Sequence, residues 1–405
     1  MSKRTPALGF ILVTVLIDVI GVGIIIPIIP DLLAELGIED PGDASKMGGL
    51  LISSYAIMQF FFAPILGGLS DRYGRRLVIL ISLLGLTTDY LLTAFAPTLL
   101  WLFAGRIVAG IGGASFTTAS AYIADISTPE KRAQNFGMIG AAFGVGFVIG
   151  PIIGGFLGEF GTRVPFFVAA GLSFANWIYG LFILPESLPV ENRRKFDWKR
   201  ANPLGTFINL MRYPKLITLF ISFFIIYLAG HAVQSNWSFF GKEVYAWGPK
   251  QIGISLTLVG VSVAIVQAVL IKNAVKKFGQ KKTVYYGLIF NFLGLILFSI
   301  ATEEWMIYTF LPVYVLGGLA GATLQAIMSS QVSPTEQGEL MGTFTGLQSL
   351  ANILGPLMMT SVFSYYTRDV GVYFPGSAFA LAAVLSLTSG LMIFFALKNK
   401  GLKLS

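Results

Sequence analysis

The sequence predicts an all-α membrane protein with twelve transmembrane helices in two six-helix pseudo-repeat halves. Three observations predict it. Hydrophobic residues make up 55% of the 405 positions and charged residues only 12%, whereas a soluble domain carries about 45–50% and about 25%. The apolar residues fall into twelve long runs. Glycines and prolines of the first half recur in the second at one fixed offset.

A hydrocarbon core about 30 Å thick needs about 20 residues of helix, whereas barrel strands are about ten residues long and alternate in polarity. The runs have the helical length. The first, 6–29, holds Asp18 and no small-residue cleavage site, so it reads as a retained helix and not a signal peptide. Run 47–69 contains Gln59 and ends in the polar loop LGGLSDRYGRR (66–76). Run 77–96 carries Asp89, 98–124 carries Arg106, 133–158 contains GVGFVIGPIIGG (144–155), and 165–184 includes Asn176. The polar stretch 185–213 divides six spans from six, giving an N-terminal half 1–184, a cytoplasmic linker 185–213 and a C-terminal half 214–405. Its prolines, charges and aromatics suit a linker that lies partly on an anionic leaflet. The second half reads 214–239 with His231 and Gln234, then 251–272, 281–302 with Asn291, 304–331, 339–363 with Gln348 and Asn352, and 373–397.

An even number of spans puts both termini on one side. Of the 28 Lys and Arg residues, only Lys46, Arg163, Lys242, Lys250 and Arg368 fall on the other side, and Arg106 lies within a span. This bias places both termini in the cytoplasm. The net charge of +8 therefore sets topology, and a nucleic-acid partner is not expected. The chain has no Cys and one His, which excludes disulfides, thiolate metal sites and Cys nucleophiles. There is no GxxxxGK[ST] loop to support a nucleotide-driven pump, and an enzyme is not expected.

At an offset of 205, Gly74 matches Gly279, Gly112 and Gly113 match Gly317 and Gly318, Pro129 matches Pro334, Gly137 matches Gly342, and Gly150 with Pro151 matches Gly355 with Pro356. The second copy of the loop, VKKFGQKK (275–282), keeps the Gly and the basic residues but has Lys276 where the first has Asp71. Topology explains the bases, and Asp71 is extra. An acid at a helix end can pair with an Arg or meet a helix N-terminus in one arrangement and release it in another; the alternative is a solvated carboxylate. Gly67, Asp71, Arg72, Gly74, Arg75 and Arg76 thus form a candidate gating loop. The pattern GxLSDRxGRR (67–76) resembles the signature of the major facilitator transporters, which are built from two such six-helix repeats.

Charges inside a membrane are functional candidates because insertion costs at least about 2.5–3.5 kcal/mol each. At about 1.5 Å per residue, Asp18 and Asp89 each lie about 18 Å from the cytoplasmic ends of their spans, and Arg106 reaches nearly the same level. Desolvation favours the protonated acid and a nearby Arg the ionised one, so an acid here can trade a proton as water access changes. The alternative is a fixed Asp89–Arg106 pair joining two helices. Asp18, Asp89 and Arg106 are the proton-coupling candidates. Gln59, His231, Gln234, Asn291, Gln348 and Asn352 are substrate-binding candidates, with interhelical hydrogen bonding the alternative for the amides. Gly146, Gly150, Gly154 and Gly158 recur every fourth residue, with Pro151 and Gly155 beside them. They make a smooth ridge for close helix approach, and the string resembles the Gly-Pro motif of major facilitator antiporters.

Blocks along nearly the whole chain, including DYLLTAFAP (89–97), GRIVAGIGGA (105–114), AYIADI (121–126), LPES (184–187), NPL (202–204), IGISL (252–256) and QGEL (337–340), resemble the tetracycline/proton antiporters of that superfamily. The resemblance implies export of a metal–tetracycline complex, or a related amphipathic compound, against an entering proton by alternating access. It assigns exchange roles to Asp18, Asp89, Asp71 and Arg106. It also implies a multi-pass protein of the bacterial inner membrane, without a cofactor or resident metal, whose partners are its small-molecule substrate, protons and lipid, and which works as a monomer. Asn291 stands where the family carries a third membrane acid, and His231 where relatives carry an amide. The alternatives are proton-coupled movement of an endogenous metabolite and, in another class, a non-transporting membrane receptor or scaffold. The acidic loop 36–49 has no role at this level.

Overall fold

The structure, a computed structural model, describes residues 4–113, 115–198, 202–203, 212–333, 336–368 and 371–399. The chain termini, part of the 185–213 linker, Ala114 and Pro334 lie outside the described residues. Among the described residues there is no strand. The helices are α1 (Arg4–Ile25), α2 (Ile29–Glu35), α3 (Pro41–Tyr73), α4 (Arg75–Ala94), α5 (Leu99–Gly112), α6 (Ser115–Ile126), α7 (Pro129–Gly158) and α8 (Val164–Ile183). They continue as α9 (Ile217–Gln234), α10 (Trp237–Tyr245), α11 (Pro249–Ile265), α12 (Ile271–Ser299), α13 (Glu304–Leu316), α14 (Gly318–Ser329), α15 (Gln337–Thr367) and α16 (Ser377–Asn399).

Ten stretches of the described residues are long and apolar enough to cross a membrane. One of these, Pro249–Ser299, runs for 51 residues and covers two expected spans, 251–272 and 281–302. A π-helical turn, Val266–Leu270, joins α11 to α12, and the chain kinks at Gly279, whose φ of 75° suits glycine. Helix α15 has 31 residues and is not among the ten. The segmentation is consistent with twelve spans. The loop expected at 66–76 is almost absent: α3 stays helical to Tyr73, and Gly74 alone, at φ 104°, turns the chain into α4.

Two compact units form, one of Met1–Gly37, Ser54–Pro203 and Gly248–Thr257, the other of Ile38–Ser53, Leu204–Trp247 and Leu258–Ser405. In the first, Phe10, Ile11, Val15 and Val19 of α1 pack with Ile79 and Leu83 of α4, Ala119 and Ile123 of α6 and Ile139 of α7. In the second, Phe220 and Phe223 of α9 pack with Val284 and Leu288 of α12, Leu324 of α14, Phe344 of α15 and Ile393 of α16. Large apolar side chains such as Leu100 and Phe182 are exposed, as lipid-facing helices require.

The sequence repeat reappears as repeated contacts. In the first unit, Thr257 Oγ1 donates to the Val148 carbonyl (3.0 Å), and Gly253 packs on Pro151 and Gly155. In the second, Ser53 Oγ donates to the Ile353 carbonyl (2.8 Å), and Gly49 packs on Pro356 and Thr360. Val148 and Pro151 match Ile353 and Pro356 at the repeat offset, and Ser53 and Gly49 fall one position from the register of Thr257 and Gly253. Small residues let the backbones close, and each hydroxyl then satisfies itself on a carbonyl beside a proline kink.

The 36–49 segment gains a structural account. Asp40 Oδ1 accepts the Asp43 amide (2.7 Å) and caps α3, with Pro41 at its first position. Asp43 also pairs with Arg368. Three of the five basic residues expected on the far side meet acids: Arg163 with Glu35 and Lys250 with Glu159, besides Arg368 with Asp43. Nearby, Tyr373 donates to Glu243 (2.5 Å). Burial, followed by that hydrogen bond and the carboxylate's charge, raises the phenol above its ordinary range.

Candidate functional site

The three membrane charges belong to one unit. Asp89 is 1% exposed, and Arg106 Nη2 on α5 donates to its Oδ2 at 2.5 Å. Gly105 makes room, since a Cβ there would lie 2.7 Å from Asp89 Oδ1. This is the joined pair that the sequence left open, and it spans α4 and α5. Arg106 therefore holds Asp89 by a direct charge-assisted hydrogen bond. Two tyrosines collect the group. Tyr55 on α3 and Tyr90 on α4 each lie within electrostatic reach of Asp18, Asp89 and Arg106. Gln59 Nε2 donates to the Tyr55 hydroxyl (3.3 Å) and the Gly113 carbonyl (3.1 Å), so this candidate binding amide is engaged between helices. Asn176 likewise donates to Thr14 (3.1 Å).

Glycines 146, 150 and 154 face α1, with Leu16, Val19, Gly23 and Ile24 at contact distance, whereas Gly155 and Gly158 face Pro249 at the start of α11. The ridge thus has two sides: one seats the helix that carries Asp18, and the other seats α11. Pro151 lies inside α7, where its missing N–H weakens the ladder.

At the predicted gating loop, Arg75 is 8% exposed. It reaches Asp71 Oδ1 (2.5 Å), Ser70 Oγ (2.5 Å) and Asp125 Oδ2 on α6 (3.2 Å). Ser70 Oγ in turn donates to the Gly67 carbonyl (2.7 Å). Asp71 is therefore paired, not a free loop carboxylate. Arg72 stacks over Tyr73, 4.9 Å from the ring centroid. Arg76 donates to the Leu181 carbonyl near the end of α8 (2.6 Å), and Lys281, its repeat partner, donates to Leu397 near the end of α16 (3.3 Å). Cations at helix C-termini complement the dipole, so the repeated bases do more than set topology.

Sequence reasoning missed Glu186. Its Oε1 accepts the amides of Arg75 (2.8 Å), Ser187 (3.0 Å) and Leu188 (3.1 Å), and Oε2 accepts that of Arg76 (3.3 Å). Helix α4 has no cap of its own at Gly74, and Glu186 supplies one from 111 positions away. The linker continues onto the loop: Arg194 N donates to the Asp71 carbonyl (3.0 Å), and Phe196 covers Gly68. The start of the linker is thus packed on protein. Glu186 and Asp125 belong to the blocks LPES and AYIADI, but both lie outside the apolar spans, where a charge carries no membrane cost to mark it.

In the second unit, His231 is 5% exposed and its Nε2 lies 3.2 Å from Asn352 Oδ1. Its ring packs on Gly355. Gln348 hydrogen-bonds Tyr227, Gln234 is exposed at the end of α9, and Asn291 packs on Gly317 at the α13–α14 break. Among the described residues no group of three or more His, Asp or Glu could hold a metal.

The family profile of the Major Facilitator Superfamily matches residues 11–356 and again 235–404. The chain belongs to that superfamily. Among its relatives is the class C tetracycline resistance protein of Escherichia coli, 40% identical over 96% of this chain and 98% of the relative. The class E protein of E. coli is 38% identical over 87% of each chain, and the class D protein of Salmonella ordonez 36% identical over 91% and 92%. Within the superfamily, then, the chain falls with the tetracycline resistance proteins. Two solved structures share the fold. A bacterial homolog of the human lysosomal transporter Spinster superposes with a TM-score of 0.79 at 16% identity, covering 99% of this chain and 98% of that one. The human organic anion transporter MFSD10 gives 0.70 at 22% identity, covering 97% and 100%. The chain is a multi-pass membrane transporter of an all-α fold.

Proposed function

We propose that this protein is a proton-coupled antiporter of the inner membrane that exports tetracycline, as a divalent-metal complex, or a related amphipathic compound. What supports this reading is the gathering of Asp18, Asp89, Arg106, Tyr55 and Tyr90 in one unit, beside the names of the 33–40% identical relatives. In this account Asp18 takes and releases the proton, and Asp89 with Arg106 holds a paired charge next to it. Asp71, Arg72, Arg75 and Arg76, with Gly67 and Gly74, gate the cytoplasmic side during alternating access. His231, Asn352 and Gln348 supply polar contacts to the substrate, with Gln59, Gln234 and Asn291 in secondary positions. The protein needs no cofactor, keeps both termini in the cytoplasm and works as a monomer.

Asn291 favours a second reading, exchange of an endogenous metabolite, because it lacks the charge that would face a cationic metal complex. Drug susceptibility separates the two. Cells expressing the protein are expected to tolerate tetracycline, to lose that tolerance with a protonophore, and to gain further tolerance with Asn291→Asp. Susceptibility equal to empty-vector cells for both forms, with the protein present in the membrane, overturns tetracycline as the substrate.

A further inference from the structure

Tyr90 follows Asp89 on α4, and its side chain reaches α1. It is 3% exposed, and its hydroxyl is buried with no hydrogen-bond partner among the described residues. A Cβ built on Gly21 would strike that hydroxyl and lie 2.7 Å from Cζ of the ring. The tyrosine therefore fills the space that glycine leaves open on α1. Gly21 lies one turn beyond Asp18, at i and i+3 on one helix face, and Cα–Cβ bonds in a helix tilt toward its N-terminus. The hydroxyl thus lies beside the Gly21 Cβ position, which tilts toward the turn that carries Asp18. Asp18 and Tyr90 are within electrostatic reach of each other. A buried hydroxyl with no partner is costly, and an ionised carboxylate one turn away is the acceptor that would relieve it.

We infer that Tyr90 is a positioning residue for proton exchange, whose hydroxyl donates to Asp18 when Asp18 is ionised and is released when Asp18 takes up its proton. This links the charge of α1 to α4, which carries Asp89 and its Arg106 partner. The inference rests on the antiport reading above. The other groups facing this site are Tyr55 from α3, Asp89 from α4 and Arg106 from α5. Of the helices packed on α1, α8 brings Tyr179 and no charge. Helix α7 carries its charges, Glu130, Lys131 and Arg132, only in its first turn. On α6, Tyr122 donates to the Pro185 carbonyl and Asp125 accepts from Arg75. Tyr90 thus brings a hydroxyl to the Asp18 turn from α4, as Tyr55 brings one from α3.

The test uses the full chain in lipid vesicles and needs no drug. Infrared difference spectra across pH follow the protonated carboxyl band that disappears in Asp18→Asn. Tyr90→Phe, which keeps the ring, is expected to move the midpoint of that band by about one pH unit, as loss of one charge-assisted hydrogen bond would. Gly21→Ala, which drives the hydroxyl from its place, is expected to move it as well. An unchanged midpoint in Tyr90→Phe overturns the inference, even if transport slows, because slower transport alone marks lost packing. If Tyr90→Phe does not fold, an unchanged midpoint in Gly21→Ala overturns it. A wild type that titrates at Asp18 but exchanges no substrate for protons defeats the antiport reading and leaves this hydrogen bond standing.

Discussion

Replacing Glu186 by alanine removes the acceptor of four backbone N–H groups at once. Two of them, from Arg75 and Arg76, open α4, whose N-cap Gly74 has no side chain to cap it, and two, from Ser187 and Leu188, start the linker. A lost N-cap costs about 0.5–2 kcal/mol and a hydrogen bond to a charged group about 1.5–3 kcal/mol. The carboxylate side chain is 28% exposed, so water replaces part of each bond, and a net loss of about 2 kcal/mol is expected. For a cooperative unit of about 200 residues this is a fall in Tm of about 4–8 °C. Thermal unfolding of the purified protein in detergent, followed by size-exclusion of the remaining monodisperse fraction, measures it. Glu186→Gln keeps one oxygen acceptor and is expected to fall between. A melting curve for Glu186→Ala within about 1 °C of the wild type refutes the reasoning.

On α7, Gly154→Ala places its methyl against the Ile24 backbone, which cannot yield, whereas Gly144→Ala meets nothing within 4 Å. The first is expected to abolish transport or folding and the second to leave both unchanged, as vesicle flux and membrane abundance will report. Asp89→Asn leaves Arg106, whose side chain is 16% exposed, without its counter-ion, at a cost of about 2–3 kcal/mol once partial solvation is allowed for. The double variant Asp89→Asn with Arg106→Gln is expected to recover thermal stability without recovering exchange, whereas equal melting temperatures for single and double variants contradict the pairing. Ser53→Ala and Thr257→Ala each remove one hydroxyl-to-carbonyl bond at repeat-related positions. Each is expected to lower stability by about 1 kcal/mol, measured by the same melts.

Much of this was legible in the sequence because the membrane makes certain residues expensive. Asp18, Asp89 and Arg106 stood out by the cost of burying charge, and the four-residue glycine spacing on α7 marked a close-approach face. Tyr55 and Tyr90 were not legible as site residues, since a tyrosine in an apolar helix carries no cost that distinguishes site from packing. Glu186 was hidden for another reason: its partners are backbone amides 111 positions away, and nothing in the local pattern announces a cap supplied at that distance. The charges of the Gly67–Arg76 stretch predict a loop, but helical hydrogen bonds continue to Tyr73 and one positive-φ glycine makes the turn. Charge marked the membrane boundary there and not the end of the helix.

The central claim is that substrate and proton exchange through Asp18. Purified protein in sealed vesicles with an imposed pH gradient, given labelled tetracycline and magnesium, measures it directly. The wild type is expected to accumulate drug on the acidic side and to dissipate the gradient as it does so, and Asp18→Asn is expected to do neither. Gradient-driven accumulation by Asp18→Asn at the wild-type rate contradicts the account.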